Sequence, residues 1–171
     1  MLCIFPYTAM LPILADVIFD EKAEMGIAYL SASSGVGAVT GALCLRFLLP
    51  ERPSTIAFLS AALLCLPTVA LSAVGYLPVA VGLVLIGVIG LVGQLYRTSN
   101  RAAVLLLAPE EQRGLFGGIS QTDRVLIPAG ALLFGVIADV GGVAAMAIAM
   151  AGANALLITP AVAMMTKHRK A

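Results

Sequence analysis

The chain has 171 residues, of which 61% are hydrophobic and only 11% charged, and its formal net charge is +1 at pH 7. A soluble domain carries about 25% charged residues in a shell around one core. Here the polar residues stand in short islands between apolar runs long enough to cross a bilayer, so the lipid bilayer is the solvent and the chain is a membrane protein.

The near-neutral balance, without a Lys/Arg tract interleaved with aromatics, argues against nucleic acid as a partner. Cys3, Cys44 and Cys65 all fall in apolar segments without metal-ligand spacing, and read as small buried hydrophobes. The one histidine, His168, lies in the basic tail, and no zinc motif, phosphate loop or nucleophile elbow accompanies it. An enzyme, a metal site and a cofactor are therefore not expected.

In chain order, six apolar segments are predicted as transmembrane helices, at about 1–19, 25–49, 54–75, 77–107, 115–138 and 143–166. Each approaches or exceeds the roughly 20 residues a helix needs to span the hydrocarbon. The turns "DEKAE", "PERPS", "GYLP", "PEEQR" and "DVGG" separate them. The predicted fold is an all-α, six-helix, up-and-down bundle forming one transmembrane domain. The first segment lacks a basic leader and a small-x-small cleavage site and carries Pro6 and Pro12, so it reads as a span rather than a signal peptide. Pro6, Pro12, Pro67 and Pro128 each free a backbone carbonyl and can bend their helices. Tyr7, beside Pro6, is a candidate cavity or packing residue. Asp16, near the outer end of this span, is either a proton-coupling carboxylate or a solvated end residue.

In the second segment, "SASSGVGAVTGAL", Ser33, Gly37 and Gly41 recur every four residues, as do Ser34, Ala38 and Ala42. Small faces of this kind let helices approach closely in lipid, for packing alone or for sliding during a conformational cycle. Ala145, Ala149 and Ala153 repeat the spacing in the sixth segment.

The fourth segment holds the most informative residues. Counted from the turn at Pro109, Arg101 is about 12 Å deep and Arg97 about 18 Å. Gln94, Arg97, Thr98 and Arg101 share one face about 100° wide, with Asn100 beside it. Asp123 and Arg124, on the returning segment, lie roughly 15 Å deep by the same rise. Pairing of Asp123 with Arg97 or Arg101 is expected. Ionisable groups at such depth face a bundle interior or a water-filled cavity. Two readings stay open: an ion-pair network holding helices in register, or a positively charged lining and gating network for an anionic or polar substrate.

The basic residues sort by side. Lys22 falls on one; Arg46, Arg52, Arg97, Arg101, Arg113, Arg124, Lys167, Arg169 and Lys170 fall on or toward the other. By the positive-inside rule the second side is cytoplasmic, which puts both termini there and makes the chain a multi-pass protein of the cell membrane.

The stretches "FPYTAMLPILADVIF", "GIAYLSASSGVGAVTGAL", "NRAAVLLLAPEEQRGLFGG" and "IPAGALLFGVIADVGG" together resemble the C-terminal half of a major facilitator superfamily transporter, in the branch of the enterobactin exporter and the transmembrane secretion effectors. The most specific element is Pro109-Glu110-Glu111-Gln112-Arg113-Gly114, similar to that family's Pro-x-x-x-Arg-Gly-Arg loop, with Leu115 in place of the last arginine. Between spans two and three, Gly41, Arg46 and Arg52 stand where the superfamily has a basic loop, but the Asp-Arg-x-Gly-Arg core is missing. The resemblance implies a secondary transporter that exports a small molecule, such as a drug or siderophore, by proton-coupled alternating access of two six-helix halves. Its N-terminal half is absent from this sequence, so a fragment or truncated product is expected, with such a half or a second copy as partner. A non-transporting membrane scaffold is the alternative.

Overall fold

The computed structural model describes residues 5–8, 10–19, 22–48, 53–120 and 123–168. All regular structure among them is helical. After a 3-10 turn, Phe5–Thr8, come α1 (Leu11–Phe19), α2 (Ala23–Leu48), α3 (Pro53–Leu63), α4 (Cys65–Ala70), α5 (Val79–Leu107), α6 (Arg113–Ser120) and α7 (Asp123–His168). Four stretches are long and apolar enough to cross a membrane: Ala23–Phe47, Pro53–Tyr76, Val79–Leu107 and Leu126–Thr159.

The predicted helix over 1–19 is not continuous. Pro12 has no N–H to give the Thr8 carbonyl, so the helical ladder cannot run through this point. A 3-10 turn precedes it instead, closed by Met10 N–H donating to the Tyr7 carbonyl at 3.0 Å. Pro12 then occupies the first turn of α1, where a proline is tolerated. The nine residues of α1 rise only about 13 Å, short of a span by themselves. Pro67 acts in the same way on the third predicted segment, which is divided at Leu64 into α3 and α4 and continues as a 3-10 turn, Leu71–Tyr76.

The fifth and sixth predicted segments correspond to two helical arms, taken together as α7, that meet at the non-helical Gly142 (φ 74°, ψ 177°) in the expected turn. A residue with a Cβ is strained at this φ, so glycine makes the reversal possible. Both arms of α7 return along the same bundle. An added Cβ at Gly135, in the first arm, would meet Met10 at 3.7 Å. In the second arm Asn154 Nδ2 donates to the Ala61 carbonyl at 3.0 Å. The first predicted boundary, residue 115, falls in α6, and α7 begins only at Asp123.

The closest helix pair is α2 with α5. A Cβ added at Gly37 would strike the Gly87 carbonyl, and one at Gly90 would strike the Ser34 carbonyl. Ser33 Oγ donates across the seam to the Leu83 carbonyl at 2.6 Å. Around this pair a single apolar core gathers Leu14 of α1, Leu30 of α2, Ile86 and Ile89 of α5, and Phe134, Met146 and Met150 of α7.

Candidate functional site

Just beside the α2–α5 seam the helices part enough to leave a cavity of about 300 Å³. It is lined by Tyr7, Thr8 and Leu11 on one side, by Ser31, Ser34, Gly35 and Ala38 of α2, and by Gly90, Gln94 and Arg97 of α5. The helical period explains the set. Ser31, Ser34 and Ala38 follow the i, i+3, i+7 row of α2, while Gly90, Gln94 and Arg97 follow the i, i+4, i+7 row of α5.

Height matters as much as composition. At 1.5 Å per residue Gln94 is roughly 22 Å from the first residue of α5 and about 20 Å from the last, so the cavity lies near the midpoint of this helix. Polar side chains are costly at that level of a bilayer unless they face one another or a wet space. Here they do both. Tyr7 is buried, and its hydroxyl lies 2.8 Å from Ser34 Oγ. Gln94 Nε2 donates to Thr98 Oγ1 one turn along α5, at 3.2 Å. Gln94 is braced from behind, because a Cβ on Gly41 would sit 3.3 Å from its own Cβ.

Arg97 is half-buried and is the one charged residue that lines the cavity among the described residues. Arg101, one turn on, is exposed and does not line it; Asn100 is half-buried on the neighbouring face. The sequence placed the two arginines on one stripe, and the structure separates them by surroundings. Asp123 opens α7, but its side chain and that of Arg124 lie outside the described residues, and with them the expected pairing to Arg97 or Arg101. Asp16 is exposed on α1 and is not part of the lining. At the far end of α5, Glu110 and Arg113 form an exposed ion pair at 3.5 Å, with Pro109 and Gly114 exposed beside them.

Ser33, Gly37 and Gly41 stand in the α2–α5 contact and not in the cavity. The stripe next to them supplies the site. Thr8, Ser31, Gly35 and Gly90 were not singled out from sequence. The i, i+3 spacing of Ser31 and Ser34, with Gly35 beside them and apolar residues on either flank, was the available signal.

With that geometry in view, one comparison with known proteins is informative. The chain is 31% identical over 140 residues to a staphyloferrin A transporter of Staphylococcus aureus (strain NCTC 8325 / PS 47), a match covering 81% of this chain and 34% of that protein. The chain thus spans about a third of the length of this curated relative. No protein-family model matches the chain, and no solved structure does.

Proposed function

We propose that the chain forms a six-helix half of a secondary transporter of the major facilitator type, related to the enterobactin exporter and the transmembrane secretion effectors. Its task is export of a small molecule, such as a drug or siderophore, across the cell membrane by alternating access driven by protons. The observation that carries this reading is the polar cavity at the midpoint of α5, in a chain similar to a staphyloferrin A transporter. Substrate sites of secondary transporters lie near the bilayer midplane, between two helical units that rock about them.

Thr8, Ser31 and Gly35 line the cavity and are exposed. A second six-helix unit, an N-terminal half or another copy of this chain, would close that side. The distribution of Lys and Arg favours cytoplasmic termini.

The test is reconstitution into proteoliposomes, alone and with a supplied N-terminal six-helix half, followed by efflux of a small-molecule panel under an imposed pH gradient. Gradient-dependent efflux that needs the second half, and that falls at least tenfold in Gln94→Leu, is the expected result. Assembly of a stable complex that moves nothing would favour a scaffold and overturn the reading.

A further inference from the structure

The third long apolar stretch, Pro53–Tyr76, gathers features that weaken a helix around one residue. Pro67 has no N–H for the Leu63 carbonyl. Ser60 Oγ donates back to the Ile56 carbonyl at 2.6 Å, and Thr68 Oγ1 to the Leu64 carbonyl at 2.7 Å. Hydroxyls bonded in this way bend helices. Between them the helix breaks at Leu64, with α3 on one side and α4 on the other. Leu64 itself is fully buried in the apolar core, a fixed point about which the two pieces can turn.

One side chain holds both pieces from outside. Asn154, on the second arm of α7, is half-buried. Its Nδ2 donates to the Ala61 carbonyl of α3 at 3.0 Å and to Cys65 Sγ of α4 at 3.1 Å. A carboxamide nitrogen has two N–H groups, and the break lies between the two acceptors they reach. The Cys65 thiol in turn points at the Ala151 carbonyl of α7, a long contact of 4.0 Å. Joining α7 to this stretch needs a bond to only one piece. Bonds to both pieces fix the angle between them.

We propose that the stretch bends about Leu64 and that Asn154 is the latch holding it in the described conformation. The inference rests on the transport reading for its biological use, because alternating access needs elements with two discrete arrangements, while bending itself is measurable without transport. The strength of the bonds suits a latch. Interhelical bonds of this kind in membrane proteins change an equilibrium constant by about threefold each on average. The amide can therefore release Ala61 and Cys65 without dismantling the bundle. The α2–α5 seam meets backbone to backbone and stays fixed meanwhile. The Pro53 end of α3 lies about 16 Å from Leu64 by helical rise, so a bend on the order of 20° moves that end by roughly 5 Å.

The experiment uses the full chain in lipid nanodiscs, with nitroxides on ketone-bearing residues introduced at the exposed Ser54 of α3 and Leu132 in the first arm of α7, so that every cysteine stays in place. Pulsed electron–electron resonance then reads the distance between the labels. Asn154→Leu is expected to raise the share of a second distance at least threefold over the parent, by the average strength of one such bond. Cys65→Ala, which removes one of the two bonds, gives a smaller rise in the same direction. Pro67→Ala restores the missing N–H and suppresses the second distance, even together with Asn154→Leu. A control pair across the seam, at the exposed Val39 of α2 and Leu106 of α5, stays unchanged in every variant. An unchanged distribution in Asn154→Leu or a second distance that survives Pro67→Ala would overturn the inference. So would an equal change in the seam pair, which would mean that the amide only holds the bundle together. Gradient-driven efflux by a chain whose third stretch does not bend would leave the transport reading standing by itself.

Discussion

Two helix contacts of the bundle are built in opposite ways. Between α2 and α5 the side chains are removed: Gly37 faces the Gly87 carbonyl, Gly41 faces Leu91, and Gly90 faces Ser34. Between the α3–α4 stretch and α7 the side chains do the holding. Met146 and Met150 of α7 are buried in the apolar core, and Asn154 Nδ2 donates to the Ala61 carbonyl of α3 at 3.0 Å and to Cys65 Sγ of α4 at 3.1 Å. A backbone-to-backbone seam has no soft atom that can give way. A contact filled by methionine and one amide can repack, because thioether chains adapt to irregular gaps. The cavity borders the first kind of contact, so its α2 and α5 walls are held in fixed register while α7 closes the bundle more adaptably.

Breaking the seam is the harshest test of this contrast. Gly37→Val places two methyl groups where the Gly87 carbonyl already stands, and α2 and α5 must separate. A loss of about 3 kcal/mol or more in detergent-micelle unfolding is expected, at the upper end of the cost of overpacking. Gly35→Ala, two residues away in open space, should stay within about 0.5 kcal/mol of the parent. Equal stability of Gly37→Val and Gly35→Ala would mean that the seam is not close-packed.

The other contact should forgive more. Asn154→Leu removes the bonds to the Ala61 carbonyl and Cys65, but such interhelical bonds in membrane proteins average only about 0.6 kcal/mol, with a maximum near 1.7. A loss of about 1 kcal/mol in the same unfolding measurement is expected. A loss as large as that of Gly37→Val would erase the distinction between the two contacts.

The same contrast explains what could be read in advance. Hydropathy locates apolar runs, and it located α2, the α3–α4 stretch and α5 to within a few residues, because each is one nearly uninterrupted run. It does not register a missing N–H. The stretch up to Phe19 therefore reads as one helix where Pro12 leaves a 3-10 turn and a nine-residue helix. Periodicity identifies a helix face but not the neighbour it meets. Arg97 and Arg101 differ by only 40° around α5, yet the first lines the cavity and the second is exposed, a difference decided by where α2 and the Phe5–Thr8 turn happen to cross. The glycines of α5 carry no such signal in the sequence, for a similar reason. Gly87 and Gly90 acquire their meaning from Ser33, Ser34 and Gly37 on the opposite helix.

The smallest effect is expected where the sequence signature is strongest, at the Pro109–Gly114 turn. Gln112 N–H donates to the Pro109 carbonyl at 2.9 Å, and Arg113 meets Glu110 at 3.5 Å, three residues back along the same turn. Both side chains are largely open to solvent, and exposed pairs of this spacing contribute little once the entropy of holding two long side chains and salt screening are counted. Glu110→Gln is therefore expected to leave the unfolding transition unchanged within error, at low and at high salt alike. Efflux rates in Arg113→Gln then become interpretable. If they fall while Glu110→Gln remains at parent level, Arg113 acts through a group other than Glu110, and the loop belongs to the moving machinery rather than to the stability of either contact. If both variants transport at the parent rate, the turn serves only to reverse the chain between α5 and α6, and the seam and the cavity carry the function.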